Sequence, residues 1–235
     1  MKKSKIFCIS ALALALLASS GCGSMNQTGK GALIGGGGGA ALGAGLGALI
    51  GGGKGAGIGA AIGTAVGAGA GALIGRKMDK QKQELQEQLA NSAEVQEVTD
   101  QNGLKAIKVT FSGGILFPFN GTSLSSGAKT DLTKFASSLI NNPQTNVQVF
   151  GYTDNVGSMA ANQKVATGRA DAVQKYLIDS GVAANRITAT GLPMQDYVAS
   201  NDTDAGRAQN RRVEIYITAD QSMIQAAENG TLAVN

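Results

Sequence analysis

The chain has 235 residues, enough for one large domain or two small ones. Its formal charge of +4 comes largely from Lys2, Lys3 and Lys5, because the first 21 residues contain no acidic side chain and the remainder is nearly neutral. The sequence has no histidine, the commonest general base, and no basic stripe interleaved with aromatic residues, which argues against nucleic-acid binding. Both cysteines, Cys8 and Cys22, lie in or beside the N-terminal segment, so the sequence offers no disulfide framework and no CxxC metal site.

Residues 1–21 have the organisation of a secretory signal peptide. A basic start precedes an apolar run from Ile6 to Ala18, which is too short for a membrane-spanning helix, and small residues precede Cys22. These small residues resemble a bacterial lipobox with Ser19 in place of the usual leucine, which implies an acylated cysteine at the mature N-terminus. The following Gly-Ser-Met favours the outer membrane, by resemblance to the enterobacterial sorting rule. The alternative is ordinary cleavage that leaves Cys22 as a free thiol.

Glycine recurs at every fourth position from Gly31 to Gly75. Residues four apart share one helix face, so these glycines would form a flat stripe along which helices approach closely. A break at residues 51–54 leaves two uncharged arms of about 20 residues, each long enough to cross ~30 Å of hydrocarbon as a helix. The pattern predicts a membrane-associated helical hairpin that could form a homo-oligomer through the glycine stripe. A flexible tether of glycine and alanine is the alternative.

Residues 76–95 are charged and rich in glutamine, with Met78, Leu85 and Leu89 at helical spacing. This composition predicts a short solvated helix that spaces the following domain from the membrane.

Strand-like and helix-like segments alternate after this connector. Apolar residues alternate with polar ones at 104–111, 147–150, 186–190 and 213–217, and helical spacing appears at 132–140 and 165–177. The order predicts an α/β fold of the α+β sandwich type, a βαβαββ mixed sheet with helices on one face. The expected segments are a signal peptide (1–21), a lipidated N-terminus (22–30), the glycine hairpin (31–75), the connector (76–95), the domain (96–218) and a flexible tail (219–235).

Two charged residues stand out in the domain. Asp154 follows a strand, and Arg169 lies on the next predicted helix. A carboxylate can take an ammonium group while a guanidinium takes a carboxylate, so this pair can close on a small zwitterion. The structural alternative is that Asp154 caps the helix and Arg169 pairs with it or faces solvent.

The order of several motifs is more specific than this pair. Gly-Tyr-Thr-Asp-Asn-Val-Gly at 151–157, Asn162, Arg169-Ala170 and Gly-Arg-Ala-x-Asn-Arg-Arg-Val-Glu-Ile at 206–215 resemble the OmpA-like peptidoglycan-binding domain, over about the second half of the chain. The resemblance implies a non-catalytic lipoprotein that anchors the outer membrane to peptidoglycan, with no cofactor and no metal. Its ligand would be the diaminopimelate side chain of the wall peptide.

The resemblance also assigns roles residue by residue. Asp154 would hold the ammonium group of the ligand and Arg169 its α-carboxylate. Hydrogen bonds or loop shape would come from Asn120, Thr153, Asn155 and Asn162; Arg211 and Arg212 are weaker candidates, of which one could contact the ligand and the other pair with acids across the sheet. Two positions depart from the family pattern: Pro118 stands where the family has an aspartate, and Val165-Ala166 where it often has Leu-Ser.

Other classes of function fit the sequence less well. A wall hydrolase would need a nucleophile with its base, a metal set or two facing carboxylates, and the core motif offers only Asp154. A flagellar stator-like protein would need an intramembrane carboxylate, and residues 31–75 contain none. The remaining alternative is that the glycine segment oligomerises into a pore or perturbs the membrane, with the domain only as a tether.

Overall fold

The computed structural model describes residues 66–100, 102–118 and 120–234. The predicted signal peptide, the acylation site at Cys22 and the glycine segment as far as residue 65 lie outside the described residues, and so does the pore interpretation that depends on them. Within the described residues, no helix combines the length and apolar character that a membrane crossing requires.

Six helices and five strands make up the described part of the chain, together with a single 3₁₀ turn at Ala184–Arg186. In chain order they are α1 (Ala68–Gln88), β1 (Ala93–Thr99), β2 (Lys105–Ser112), α2 (Gly113–Leu116), α3 (Ser126–Asn141), β3 (Thr145–Tyr152), α4 (Met159–Asp179), β4 (Ile187–Leu192), α5 (Asp204–Asn210), β5 (Arg212–Ala219) and α6 (Gln221–Glu228).

The strands form one sheet in the order β1-β2-β5-β3-β4. All neighbours are antiparallel except β3 and β4, which run parallel and are joined through α4. The register aligns Val109 and Val149 with Ile215 of the central strand, so the β-branched residues of three strands meet on one face. The mixed α/β sheet predicted from the sequence is confirmed.

The main core lies between this apolar face and the helices. Phe111 of β2 meets Phe135 of α3 edge to face, with ring centroids 6.3 Å apart. The same core takes in Val173 and Leu177 of α4, and it extends to residues of α1 and α6. The helices therefore cover one face of the sheet, as predicted.

Two glycines bring α4 unusually close to the sheet. A Cβ atom at Gly151 of β3 would lie 2.2 Å from the carbonyl oxygen of Ala166, and one at Gly191 of β4 would lie 2.4 Å from the backbone nitrogen of Thr167. Side chains at these two positions would push the helix away from the strands. The close approach fixes the position of the α4 face that carries Arg169.

The structure has a strand that the sequence analysis missed. β1 pairs with β2 along seven residues, yet only Val95 among them is fully buried. An edge strand with one solvated face and three polar or charged residues in its centre does not give a clear two-residue alternation.

The prediction of a solvated connector is wrong. α1 packs on the domain, with Ile74, Met78 and Leu85 in the core, and Lys105 of β2 pairs with Asp79 at 2.9 Å. Its first turns belong to the last glycine repeat, so residues 68–75 lie on the domain and not in a membrane hairpin. The helical spacing of Met78 and Leu85 was visible in the sequence, but it does not show that this apolar face packs against strands later in the chain.

The predicted flexible tail is also wrong over most of its length. Residues Gln221–Glu228 form α6, whose N-terminus is capped by the side chain of Asp220, an acceptor for the Met223 backbone N–H at 2.8 Å. Met223 and Ile224 are fully buried against the core. The segment is too short for its helical periodicity to stand out in the sequence.

Candidate functional site

Asp154 lies at the end of β3, where the chain leaves the sheet towards α4. Its Oδ1 accepts a hydrogen bond from the Val156 backbone N–H at 3.0 Å, and its Oδ2 accepts one from the Arg211 guanidinium at 2.6 Å. Only 7% of Asp154 is exposed. The helix cap belongs to another residue, since Ser158 accepts from the Ala161 N–H at 3.3 Å. The structural alternative in which Asp154 caps α4 is therefore wrong.

Arg169 projects from α4 to the same end of the sheet. Its Nε donates to the Gly121 carbonyl at 3.1 Å, and its guanidinium lies over the Phe117 ring at 5.3 Å. The residue is 4% exposed, and no acidic side chain of the described residues lies within ion-pair distance of it. Arg169 is thus a buried cation held by a carbonyl group and an aromatic face.

Three charged groups consequently share this end of the sheet: two guanidinium groups and one carboxylate. Burial lowers the pKa of Arg169, and the neighbouring Arg211 lowers it further, against the opposing effect of Asp154. Gly113 allows the close approach, because a Cβ atom there would lie 2.6 Å from the Arg211 carbonyl oxygen and 3.5 Å from Arg169 Nη1. The cluster has an excess of positive charge and can accept an anionic group.

The predicted supporting residues occupy different positions. Thr153 is buried, and its Oγ1 accepts a hydrogen bond from the Met194 N–H at 3.1 Å. Asn162 donates to the Val156 carbonyl at 2.9 Å and so shapes the loop that follows Asp154. Asn155 and Asn120 are exposed, and Asn120 has a left-handed backbone with φ of 53°. Thr153 and Asn162 are therefore buried residues that hold the loops around the site, whereas Asn155 and Asn120 lie on the protein surface.

Arg212 is not brought to Asp154 and Arg169. Its side chain lies on the sheet face opposite the helices, where it pairs with Glu214 at 2.8 Å and stacks on Tyr152 at 3.9 Å. Lys108 pairs with Glu214 at 3.0 Å, and Phe150 meets Tyr216 edge to face beside this network. Of the two adjacent arginines, Arg211 contacts the candidate site, whereas Arg212 pairs with Glu214 on its own strand and not with an acid across the sheet.

Sequence reasoning missed three contributors to the site. Gly121 and Phe117 contact Arg169 through a carbonyl and a ring, roles that no sequence pattern reveals. Asn210 is fully buried and accepts hydrogen bonds from the Val198 and Ala199 N–H groups at 2.9 and 3.1 Å. The one sequence feature that pointed to Asn210 was its position in the motif at 206–215, directly before Arg211.

Comparison with known proteins gives matches along most of the chain. A family model described as OmpA family matches residues 116–211, and one described as YMGG-like Gly-zipper matches residues 1–79. The "Probable lipoprotein YiaD" of Escherichia coli (strain K12) is 36% identical over 220 residues, which cover 92% of this chain and 99% of that protein.

Other relatives match the domain alone. The peptidoglycan-binding protein ArfA of Mycobacterium tuberculosis is 40% identical over 112 residues, 48% of this chain and 34% of ArfA. A solved structure titled as the cell wall anchor of the T6SS from Pseudomonas aeruginosa has a TM-score of 0.50 and 29% identity, covering 58% of this chain and 97% of that one. The chain spans 32% to 34% of the length of several of its relatives.

The match to YiaD extends over nearly the full length of both proteins, and the OmpA family match, residues 116–211, includes both partners of the Asp154–Arg211 ion pair. The chain therefore belongs to the OmpA family, with a YMGG-like Gly-zipper region before its OmpA-like domain.

Proposed function

We propose that the domain binds peptidoglycan non-covalently by gripping the free amino-acid end of its diaminopimelate side chain. The observation that carries this proposal is the cluster of buried Asp154 and Arg169 with the partly exposed Arg211, which combines one carboxylate with two guanidinium groups. A zwitterion fits such a cluster because the cluster offers groups of both signs: the ligand carboxylate can bind Arg169, and the ligand ammonium can share the Asp154 carboxylate with Arg211.

Each ligand group has a matching protein group. Arg169 uses its Nε on Gly121 and has no acidic partner among the described residues, so its remaining N–H groups are the natural donors to the α-carboxylate. Asp154 is oriented by Val156 and Arg211, so it can accept from an ammonium without rearranging. A group that is already oriented loses little conformational freedom on binding.

The relatives support the same conclusion. ArfA is named a peptidoglycan-binding protein, and the Pseudomonas aeruginosa structure is titled a cell wall anchor. Relatives named as an outer-membrane lipoprotein and as outer membrane porins support an outer-membrane location. By this proposal the chain is a non-catalytic tether, with acylated Cys22 in the outer membrane and the OmpA-like domain on the wall.

The test is co-sedimentation of the full chain, in detergent, with purified sacculi. We expect binding that free meso-diaminopimelate inhibits and that pimelate, which has the same carbon chain and two carboxylates but no ammonium, does not. Asp154→Ala and Arg169→Ala should each abolish binding while circular dichroism and the unfolding midpoint show a folded domain.

Matched controls come from α4 itself. Asp171→Ala and Lys164→Ala remove an exposed acid and an exposed base on the same helix, and they should bind as the wild type does. Undiminished binding by both site variants would rule out this site, and equal inhibition by pimelate would rule out recognition of a zwitterion.

A further inference from the structure

The loop between β4 and α5 borders the Asp154–Arg211 ion pair. Two hydrogen bonds tie it down: the Met194 N–H donates to Thr153 Oγ1 at 3.1 Å, and Arg212 Nη2 donates to the Asp196 carbonyl at 2.9 Å. Thr153 precedes Asp154 in the chain and Arg212 follows Arg211, so the loop is fastened to the direct neighbours of both ion-pair partners.

Asn210 fixes the other half of the same loop. Its side-chain oxygen accepts from the Val198 and Ala199 N–H groups, and its side-chain nitrogen donates to the Ala199 carbonyl at 2.8 Å. Asn210 is fully buried and immediately precedes Arg211. The loop is therefore held by buried polar groups on both sides of residue 197, which makes its conformation well determined.

The backbone of this loop places one aromatic ring at the surface. Met194 and Asp196 adopt left-handed conformations, with φ of 52° and 51°, which L-residues keep only where the surroundings hold them. Tyr197 follows directly and is 41% exposed, although large apolar side chains of this domain are mostly buried. Burial raises the pKa of Tyr197, and the charge of Asp154 raises it further, so the phenol group lies within electrostatic range of that carboxylate.

We propose that Tyr197 is a specificity-determining contact, whose ring face lies against the ammonium group that Asp154 binds. This inference rests on the proposed function and names a second recognition element at the same site. An ammonium next to an aromatic face is attracted by the ring quadrupole, and an already fixed loop adds this attraction at little entropic cost. The contact favours a cationic centre over a neutral polar group of the same size.

The experiment compares Tyr197→Leu with Tyr197→Phe in the full chain, by titration calorimetry with meso-diaminopimelate. Leucine keeps apolar bulk and removes the ring, so we expect affinity to fall roughly threefold to fivefold, the range of an exposed cation–π contact. Phenylalanine keeps the ring and should bind as the wild type does. Gln195→Ala, an exposed change on the same loop, is the matched control and should have no effect.

The outcomes separate this inference from the proposed function. Unchanged affinity of Tyr197→Leu, with normal binding by the wild type, overturns the role of Tyr197 and leaves the proposed function intact. Equal losses in the Phe and Leu variants would assign the contact to the hydroxyl group and overturn the ring interaction. Absence of binding by the wild-type protein to both diaminopimelate and sacculi would overturn the proposed function and this inference with it.

Discussion

Arg211 and Asp154 form an ion pair of 2.6 Å across 57 residues of sequence, and Arg169 lies at the same end of the sheet with no acidic partner in the part of the chain that the structure describes. One arginine therefore neutralises and orients the carboxylate, and the other retains its capacity for an external anion. This division of roles underlies the first prediction.

Replacing Arg169 by lysine should weaken binding of diaminopimelate by about tenfold or more, because a single ammonium cannot reproduce the paired N–H donors of a guanidinium. Titration calorimetry of Arg169→Lys measures the loss. Arg76→Lys, on an exposed position of α1, is the matched control and should leave binding unchanged. Wild-type affinity in Arg169→Lys would mean that only the charge at this position matters.

Gly151→Ala should lower the free energy of unfolding by about 1–3 kcal/mol, the usual cost of overpacking. The added methyl group would meet the Ala166 carbonyl oxygen at 2.2 Å, and the backbone of α4 cannot move without displacing Arg169. Ligand affinity should therefore fall together with stability. Urea unfolding and calorimetry of the same variant measure the two effects.

Gly127→Ala is the matched control for Gly151→Ala, and we expect it to have the opposite effect on stability. A methyl group at this exposed position of α3 lies 4.0 Å from its nearest neighbour, Ser125 Oγ. Because Gly127 is only the second residue of α3, alanine should raise stability by no more than about 0.5–1 kcal/mol, the gain at a mid-helix position. Equal effects of the two substitutions would contradict the close approach of α4 to β3.

Glu214→Gln should reduce stability at neutral pH and have progressively less effect in acid. Burial by itself raises the pKa of Glu214, but Arg212 and Lys108 outweigh it, so the pKa in the folded state is below its ordinary value of 4.5. A lowered pKa stabilises the fold above the pKa of the unfolded chain, and that contribution is lost as the pH falls through the folded-state pKa.

Urea unfolding of the wild type and Glu214→Gln at pH 7 and at pH 3 measures this dependence. The difference between the two proteins should be largest at pH 7 and should shrink at pH 3. Glu228→Gln, an exposed carboxylate at the end of α6, is the control and should give a small difference at both values. A gap that stays constant with pH would mean that the charge of Glu214 does not matter.

Ile74→Ala should destabilise the domain by about 2–5 kcal/mol, the cost of emptying a fully buried aliphatic site. Ile74 has no exposed surface although it belongs to the last glycine repeat. Ile140→Ala, at a position that is 45% exposed, should change stability by no more than about 0.5 kcal/mol. Similar small effects in urea unfolding would indicate that α1 is not part of the cooperative fold.

The central strands could be predicted because apolar residues, which face the core, alternate with less apolar residues along each strand. Val109, Val149 and Ile215 belong to such patterns and meet in the core. β1 and α6 could not, since one is a charged edge strand and the other only two turns long. The packing of α1 depends on contacts with strands that follow it in the chain, which local periodicity does not report.

Only those residues of the candidate site that lie on consecutive elements of the chain could be predicted. Asp154 and Arg169 stand out because a carboxylate follows a strand and a guanidinium lies on the next helix. The choice between Arg211 and Arg212 needs the strand register: Val213 faces the helices, so its neighbour Arg212 must point to the other face. The pairing of Arg211 with Asp154 follows from the fold and not from spacing.

The path of α1 also sets the direction in which the domain would carry load. A Cβ atom at Gly71 or Gly75 would meet Leu104 or Lys105 at the start of β2, whereas one at Gly113, just after that strand, would lie 3.5 Å from Arg169 Nη1. The glycine segment thus joins the domain at one end of the sheet and the ligand cluster lies at the other, ~25 Å away along the strand. Tension between membrane and wall would run parallel to β2, β3 and β5, so their many cross-strand hydrogen bonds would resist it together in shear and would not be peeled apart one by one.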